Sequence, residues 1–271
     1  MAADGQDTRG RLRLKRPGLR RPGMNTLIPN LLTVGALCAG LTGIRFAVLG
    51  RWEHAVVAII VAGILDGLDG RMARLLNGTS KFGAELDSLS DFVSFGAAPA
   101  LIVYLWSGHG LGGFGWAAAL FYAVCCALRL ARFNTMLGDP NPPPWARYFF
   151  TGVPAPAGAG LALLPLMLAF EFGQGIFDQP IFCTSVLVGV GALMVSRVPT
   201  YSMKQLHIPR AFMLPALVLA AMAAAALTSA PWMTFIVVEL AYLASIPASV
   251  AAQRKARRQG EAAAPPPEPA P

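Results

Sequence analysis

The sequence predicts an all-α membrane protein, a polytopic helical bundle with about eight transmembrane helices. Of its 271 residues, 55% are hydrophobic and only 13% are charged, whereas a soluble globular domain carries about 25% charged residues. Apolar segments of nearly membrane-spanning length recur between residues 29 and 251. Lysine and arginine are concentrated between these segments and in both tails, which is typical of polytopic membrane proteins.

Each apolar segment is close to the ~20 residues that an α-helix needs to cross ~30 Å of hydrocarbon. The eight predicted spans are residues 29–49, 54–76, 88–106, 114–136, 150–170, 181–198, 211–229 and 232–251. Together they define one transmembrane domain, residues 27–251. We expect a basic, disordered tail at residues 1–26 and, at residues 252–271, a tail that is first basic, then rich in proline and alanine, and disordered.

The basic residues also predict the orientation of the chain. With the N-terminus in the cytoplasm and eight alternating spans, all 22 lysines and arginines except Arg45 and Arg51 lie towards the cytoplasmic face. This bias predicts that both termini are cytoplasmic. It also assigns the net charge of +8 to contacts with anionic membrane lipids, so we expect no nucleic-acid partner.

Aspartates are concentrated where the second span leads into the third. Asp66 and Asp69 are spaced i, i+3 on one predicted helix, and Asp87 and Asp91 are spaced i, i+4 on the next, so each pair shares a helix face. The short connection at residues 76–82 makes these helices antiparallel neighbours, so the four carboxyl groups meet near the cytoplasmic end of the bundle. Carboxylates so close together repel one another unless a cation binds. An all-oxygen ligand set suits a hard divalent ion such as Mg²⁺ or Mn²⁺.

Two alternatives remain open from the spacing alone. The aspartates can instead form ion pairs with Arg71, Arg74 and Lys81, although buried ionisable groups in a membrane usually have a function. The small residues among them either allow close helix packing or leave room for a flat nucleotide; they are Gly67, Gly70, Ala73 and Gly83. The ion pathway of a transporter would distribute acids over several spans, so their concentration on two adjacent helices favours an enzyme.

The spacing of these residues resembles a family signature. From Asp66 to Asp91 the chain reads D-x₂-D-G-x₂-A-R-x₈-G-x₃-D-x₃-D, which is similar at all eight fixed positions to the motif of the CDP-alcohol phosphatidyltransferase family. The resemblance implies an enzyme in which an alcohol attacks the phosphorus of a CDP-linked lipid and CMP leaves. It also implies two divalent ions, Mg²⁺ or Mn²⁺, held by Asp66, Asp69 and Asp87 with help from Asp91.

The same resemblance implies roles for further residues. Asp91, the last aspartate of the motif, is expected to be the general base for the acceptor hydroxyl. The arginine of the motif is expected to contact the phosphates of the nucleotide, and the small residues are expected to line the cytidine site. The implied nucleotide-binding residues are Asp66, Gly70, Ala73, Arg74 and Gly83.

Five segments outside the motif resemble the bacterial phosphatidylserine synthases, a branch of this family. They are residues 28–33, 86–100, 128–134, 151–156 and 193–202. This likeness implies CDP-diacylglycerol and L-serine as substrates, phosphatidylserine and CMP as products, and the bacterial inner membrane as the location. A homodimer is a candidate assembly, since it is common in the family. The nearest alternative is the same chemistry with glycerol 3-phosphate, an inositol phosphate or choline as acceptor.

Residues near the cytoplasmic end of the fourth span are candidates for binding the acceptor. Arg129 and Arg132 are spaced i, i+3 on one helix face, where they can grip the carboxylate of serine or a lipid phosphate. Alternatively, they anchor the helix by extending to the lipid headgroups. Ser94 and Asn134 are further candidate polar contacts.

Overall fold

The computed structural model describes residues 24–76, 78, 80–137, 149–196, 198–201 and 213–262, and most of these residues are helical. The α-helices are α1 (Met24–Val48), α2 (Trp52–Leu75), α3 (Lys81–Asp91), α4 (Ala98–Trp106), α5 (Gly113–Leu137), α6 (Ala155–Phe172), α7 (Pro180–Val195), α8 (Met213–Ser229) and α9 (Pro231–Ala262). A π-helical turn, Phe92–Ala97, joins α3 to α4 without a break, and a 3₁₀ helix, Gly108–Leu111, precedes α5. The predicted all-α membrane fold is thus confirmed.

Five stretches among the described residues are long and apolar enough to cross a membrane. They are Asn25–Val48, Lys81–Trp106, Gly113–Met136, Ala155–Phe172 and Pro231–Val250. Helix α7 and most of α8 form shorter apolar helices. Helix α2 is 24 residues long, but it carries the charged residues of the motif. These helices establish a polytopic membrane protein, whereas the number of eight spans stays a prediction.

Local sequence signals explain where several helices begin and end. Gly50 adopts φ 70° between α1 and α2, a conformation that glycine tolerates best. The hydroxyl of Ser80 accepts a hydrogen bond from the backbone N–H of Gly83 at 3.0 Å, which caps α3. This cap explains why the third helical stretch begins at Lys81 rather than at the predicted residue 88. Proline occupies the first turn of α7, where its missing N–H is not needed.

Helices α1 and α9 extend past the limits predicted for the transmembrane domain, and the domain boundaries themselves stay a prediction. Helix α1 begins at Met24, within the predicted N-terminal tail, and α9 continues to Ala262, so residues 252–262 of the predicted C-terminal tail are helical. Residues 1–23 and 263–271 of the two predicted tails lie outside the described residues.

A small antiparallel ribbon was not predicted. Strand β1 (Phe149–Thr151) pairs with β2 (Pro199–Tyr201) in the register Phe149↔Tyr201, Phe150↔Thr200 and Thr151↔Pro199. Strands of three residues are too short for an alternating pattern to identify. Beside the ribbon, Gly152 adopts φ +81°, and a Cβ there would overlap the carbonyl group of Met194. The ribbon therefore joins the start of α6 closely to the end of α7.

Helix α1 holds the aspartate-bearing helices in place. It packs along α2 and also contacts α3 and α4. Two serines of the third stretch bond to its backbone: Ser90 donates to the carbonyl of Thr33 at 3.1 Å and Ser94 to that of Ala36 at 3.2 Å. A Cβ at Gly40 would overlap Ser94, so this glycine permits the close approach. These contacts place the end of α3 against α1, beside the end of α2.

Candidate active site

Four aspartate side chains, two from the last turns of α2 and two from α3, converge where these helices lie side by side. Asp66, Asp69 and Asp87 each place one carboxylate oxygen within 4.8 Å of the others. Asp91 joins them, because its carboxyl group lies within hydrogen-bonding reach of that of Asp66. We call these four residues the aspartate cluster. Among the described residues, Asp66, Asp69 and Asp87 form the one group of three or more acidic, histidine or cysteine side chains close enough to share a metal ion.

Among the described residues, the aspartate cluster is not surrounded by the basic side chains that an ordinary ion-pair network needs. Arg71, Arg74 and Lys81 have exposed side chains. In the part of the chain that the structure describes, the basic side chain that acts on the cluster is that of Arg129, which faces Asp91. Even so, Asp91 Oδ1 is buried without a hydrogen-bond partner. Crowded carboxylates of this kind repel one another unless a cation or a proton neutralises part of their charge, so they favour the binding of a cation.

The chemistry of the donor set fits a hard divalent cation. All four side chains offer carboxylate oxygen, and no histidine or cysteine belongs to the group. Oxygen-only sites favour Mg²⁺, Mn²⁺ or Ca²⁺ over softer metals. The cluster can therefore hold a divalent ion, as the spacing of the aspartates predicts.

A threonine on α1 orients one of the aspartates. Thr33 Oγ1 donates a hydrogen bond to Asp69 Oδ2 at 2.6 Å and also lies 3.1 Å from the carbonyl oxygen of Pro29. Both Thr33 and Asp69 are buried. Since one hydroxyl carries one proton, the bond to the carboxylate fixes the orientation of Asp69.

A cavity of about 420 Å³ opens on the side of the cluster formed by Asp69 and Asp87. Its wall contains the small residues of the motif, together with residues from α1 and α5. The lining includes Asn30, Thr33, Gly70, Ala73, Arg74, Gly83 and Phe133. A Cβ at Gly83 would lie 2.9 Å from Asn30 Oδ1, whereas one at Gly67 would meet nothing within 4 Å. The glycine at 83 therefore keeps this cavity open, and the one at 67 does not.

Arg129 lies beside Asp91, a member of the cluster that does not line this cavity. It projects from α5 towards Asp91, and its Nε is buried without a hydrogen-bond partner. A buried guanidinium group with a free N–H is poised to bind a planar anion such as a carboxylate. The cluster thus adjoins the cavity through Asp69 and Asp87 and the unbonded Nε–H of Arg129 through Asp91.

The other candidate acceptor residues already have partners. Arg132 donates to the backbone carbonyls of Val195 at 2.8 Å and Ser196 at 3.5 Å, so it ties α5 to the end of α7. Asn134 donates to the hydroxyl of Ser88 at 2.9 Å. Ser94 is fully buried, with the bond to α1 described above. These bonds favour structural roles for the three residues, and their contact with an acceptor stays a prediction.

Several residues of the cavity wall had no role assigned from the sequence, among them Asn30, Thr33 and Phe133. A signal for the first two was present, since they are polar residues spaced i, i+3 in an apolar span and therefore share a helix face. Phe133 carries no such signal, because an aromatic residue in a span is usually a packing residue.

The π-helical turn that follows Asp91 was also unforeseen. It widens the helix at Phe92–Ala97, and the hydroxyl of Tyr122 donates to the carbonyl of Phe95 at 2.9 Å within it. A Cβ at Gly96 would lie 3.1 Å from Cys126, so α5 approaches the turn closely. Such turns often occur at functional sites. Here it lies where α5 brings Arg129 to the cluster.

Comparison with known proteins agrees with this geometry. Residues 26–196 match the family model described as CDP-alcohol phosphatidyltransferase, and residues 212–247 match a second model, CDP-alcohol phosphatidyltransferase 2. The first match includes the aspartate cluster, the cavity and Arg129. The second includes α8 and the first half of α9.

Curated relatives carry one name. The CDP-diacylglycerol–serine O-phosphatidyltransferase of Mycobacterium leprae is 41% identical over 239 residues, which is 88% of this chain and 79% of the relative. Those of Helicobacter pylori (strain 26695) and Bacillus subtilis are 40% and 34% identical over 174 and 171 residues. These alignments cover 64% and 63% of this chain, and 70% and 88% of the relatives.

Proposed function

Because this chain belongs to the CDP-alcohol phosphatidyltransferase family, we propose that it transfers the phosphatidyl group from CDP-diacylglycerol to L-serine, giving phosphatidylserine and CMP. The observation that carries the proposal is the aspartate cluster, which adjoins both a cavity lined by the motif's small residues and the free N–H of Arg129. The relatives that share the name of this activity span most of the chain.

The aspartate cluster holds the ions of the reaction. Asp66, Asp69, Asp87 and Asp91 together bind two divalent cations, Mg²⁺ or Mn²⁺. When bound, the ions neutralise the diphosphate of the lipid donor and make its phosphorus a better electrophile. Thr33 keeps Asp69 in the orientation that binding requires.

The cavity beside Asp69 and Asp87 receives the nucleotide. Its small residues, Gly70, Ala73 and Gly83, let the cytidine approach the helix backbones, and Arg74 donates N–H groups to the phosphates. Asp66 lies outside the lining of this cavity and contacts Asp91 instead. Asp66 therefore contributes to the nucleotide site indirectly, from its position between Asp91 and the aspartates that line the cavity.

Serine binds on the other side of the cluster, with its carboxylate on Arg129 and its hydroxyl near Asp91. Asp91 accepts the hydroxyl proton as the serine oxygen attacks the phosphorus. The new bond joins the serine oxygen to phosphorus, the phosphorus–oxygen bond to CMP breaks, and CMP departs into the nucleotide cavity. The entering and leaving groups are then on opposite sides of the phosphorus, which suits an in-line displacement.

The same cluster can serve another acceptor, so the choice of serine needs its own support. Glycerol 3-phosphate and inositol phosphate carry a doubly charged phosphate, which calls for more than one free cationic group. Arg129 has a free N–H, whereas Arg132 is engaged by backbone carbonyls. Choline has no anionic group for Arg129 to bind. Of the two arginines on α5, Arg129 is the one with an N–H available to the single carboxylate of serine.

The setting of the reaction follows from the basic residues. We place both termini and the mouth of the site on the cytoplasmic side of a bacterial inner membrane, since this orientation collects nearly all lysines and arginines there. CDP-diacylglycerol then enters sideways from the surrounding membrane lipids and serine enters from water. A homodimer is compatible with this arrangement, and no nucleic acid takes part.

A panel of acceptors tests the proposal. The purified protein would receive CDP-diacylglycerol, Mg²⁺ or Mn²⁺, and labelled serine, glycerol 3-phosphate, inositol phosphate or choline in separate reactions. We expect labelled lipid from serine alone. A different preferred acceptor would contradict the choice of serine while keeping the reaction type, and no labelled lipid from any acceptor would contradict the proposed activity.

A further inference from the structure

A second cavity, of about 340 Å³, lies next to the aspartate cluster and deeper in the membrane-embedded part of the molecule. Both helices of the cluster contribute to it. Gly63 precedes Asp66 by three residues on α2, and Phe95 follows Asp91 by four residues along the third stretch. One helical turn is about 5.4 Å long. The cavity therefore begins about one turn beyond the carboxyl groups on both helices.

The wall of this cavity is apolar with one exception. Helices α2, α6 and α9 supply most of it, through side chains such as Val56, Ile60, Leu163, Met167 and Phe235. The exception is Glu239 of α9, the only acidic residue in the lining. An apolar cavity with a single polar group is typical of a site that binds a mostly apolar molecule and orients it by one contact.

One carboxyl oxygen of Glu239 has no hydrogen-bond partner among the described residues. This oxygen, Oε2, is buried. The carboxyl group of Glu239 packs against α6 at Gly160, where an added Cβ would overlap it. The glycine thus allows the carboxyl group to stay at the cavity wall. A carboxyl oxygen buried without a partner is costly inside a membrane, and ionisable residues in such positions usually serve a function.

The position of the cavity indicates the molecule that fills it. In CDP-diacylglycerol only the glycerol carbons separate the reacting phosphate from the first acyl ester. A phosphate held at the aspartate cluster therefore places an ester about one helical turn deeper, at the level of Gly63 and Phe95. The acyl chain that follows is apolar, as the cavity wall is.

On the premise of the proposed function, we propose that this cavity receives an acyl ester of the lipid donor and that Glu239 donates a hydrogen bond to its carbonyl oxygen. In hydrocarbon a neutral carboxyl group costs far less than an ionised one, and the neutral group offers one O–H donor. An ester carbonyl is an acceptor without a donor of its own, so it complements that group. Glu239 is then a specificity-determining residue for ester-linked donors.

An ether-linked donor provides the test, because CDP-dialkylglycerol has the same shape but no carbonyl oxygen. The ratio of kcat/KM for the diester donor to that for the diether donor would be measured for the wild type and for three variants. Glu239→Gln keeps an N–H donor, Glu239→Leu removes it, and Gly160→Ala displaces the carboxyl group while keeping Glu239. The wild type and Glu239→Gln are expected to prefer the diester by about 3- to 10-fold, the effect of one hydrogen bond.

For Glu239→Leu and Gly160→Ala the ratio is expected to fall close to one, even if either variant is less stable, because stability affects both donors equally. A wild-type ratio near one, or an unchanged ratio in both of these variants, would overturn the inference while leaving the proposed function intact. Failure of the wild type to make phosphatidylserine from either donor would instead overturn the proposed function and this inference with it.

Discussion

Replacing Thr33 by valine removes the hydroxyl that bonds to Asp69 and keeps the volume of the side chain. The hydroxyl lies 2.6 Å from Asp69 Oδ2, and both residues are buried. A hydrogen bond to a charged group contributes about 1.5–3 kcal/mol, and about 1.4 kcal/mol corresponds to a tenfold change in an equilibrium constant. Mutation of a residue that orients a metal ligand typically lowers metal affinity by about 10- to 100-fold.

We therefore expect Thr33→Val to raise the half-saturating concentration of Mg²⁺ or Mn²⁺ by about 10- to 100-fold. At saturating metal, kcat should return to within about threefold of the wild-type value, because the ligands themselves remain. Thr33→Ser, which keeps a hydroxyl, should recover most of the affinity. The assay is CMP release from CDP-diacylglycerol and serine in detergent micelles as the metal concentration is varied.

Thr42→Val is the matched control on the same helix. The hydroxyl of Thr42 donates to the carbonyl of Cys38 at 2.7 Å, four residues earlier, and has no contact with the aspartates. This variant should leave the metal dependence unchanged. If Thr33→Val has the wild-type metal dependence, or if Thr42→Val shifts it equally, the bond from Thr33 does not orient a metal ligand and the reasoning fails.

Three further variants separate the roles of neighbouring residues. Arg129→Gln should raise the KM for serine by about 10- to 100-fold, because a charged hydrogen bond is lost. The KM for CDP-diacylglycerol should change little. Equal changes in the two KM values would contradict a contact between Arg129 and serine. Arg132→Gln should instead lower the free energy of unfolding by about 1.5–3 kcal/mol, which thermal inactivation would measure. The KM for serine should stay within twofold of the wild-type value. A selective rise in that KM would show that Arg132 contacts serine and is not a structural residue. Gly83→Ala should lower kcat/KM for CDP-diacylglycerol by about 5- to 100-fold, because overpacking costs about 1–3 kcal/mol. Gly67 has open space around it, so Gly67→Ala should have no such effect. Equal losses in both variants would refute the assignment of the cavity to the nucleotide.

The sequence predicts the helices well because hydropathy is a strong signal over ~20 residues. Predicted span 114–136 corresponds to α5, Gly113–Leu137, and predicted span 181–198 to α7, Pro180–Val195. The aspartates could be predicted to converge, because i, i+3 and i, i+4 spacing fixes a helix face and a short connection fixes the neighbour. Local periodicity and composition are sufficient for these features.

Features that depend on contacts between distant segments could not be predicted in the same way. The bond from Thr33 to Asp69 joins residues 36 positions apart, and nothing in the local sequence of either one specifies the other. Arg129 and Arg132 lie on the same face of α5, and the local sequence does not distinguish their roles. Only the packing of α7 shows that Arg132 meets backbone carbonyls while Arg129 faces Asp91.

The central claim is that the aspartate cluster couples the attack of serine to the release of CMP. The most direct test measures CMP and phosphatidylserine together, with and without serine, for the wild type and for Asp91→Asn. We expect equal amounts of the two products from the wild type, only when serine and a divalent metal are both present, and neither product from Asp91→Asn although the variant remains folded. Sustained turnover by Asp91→Asn, or release of CMP by the wild type without formation of phosphatidylserine, would contradict the claim.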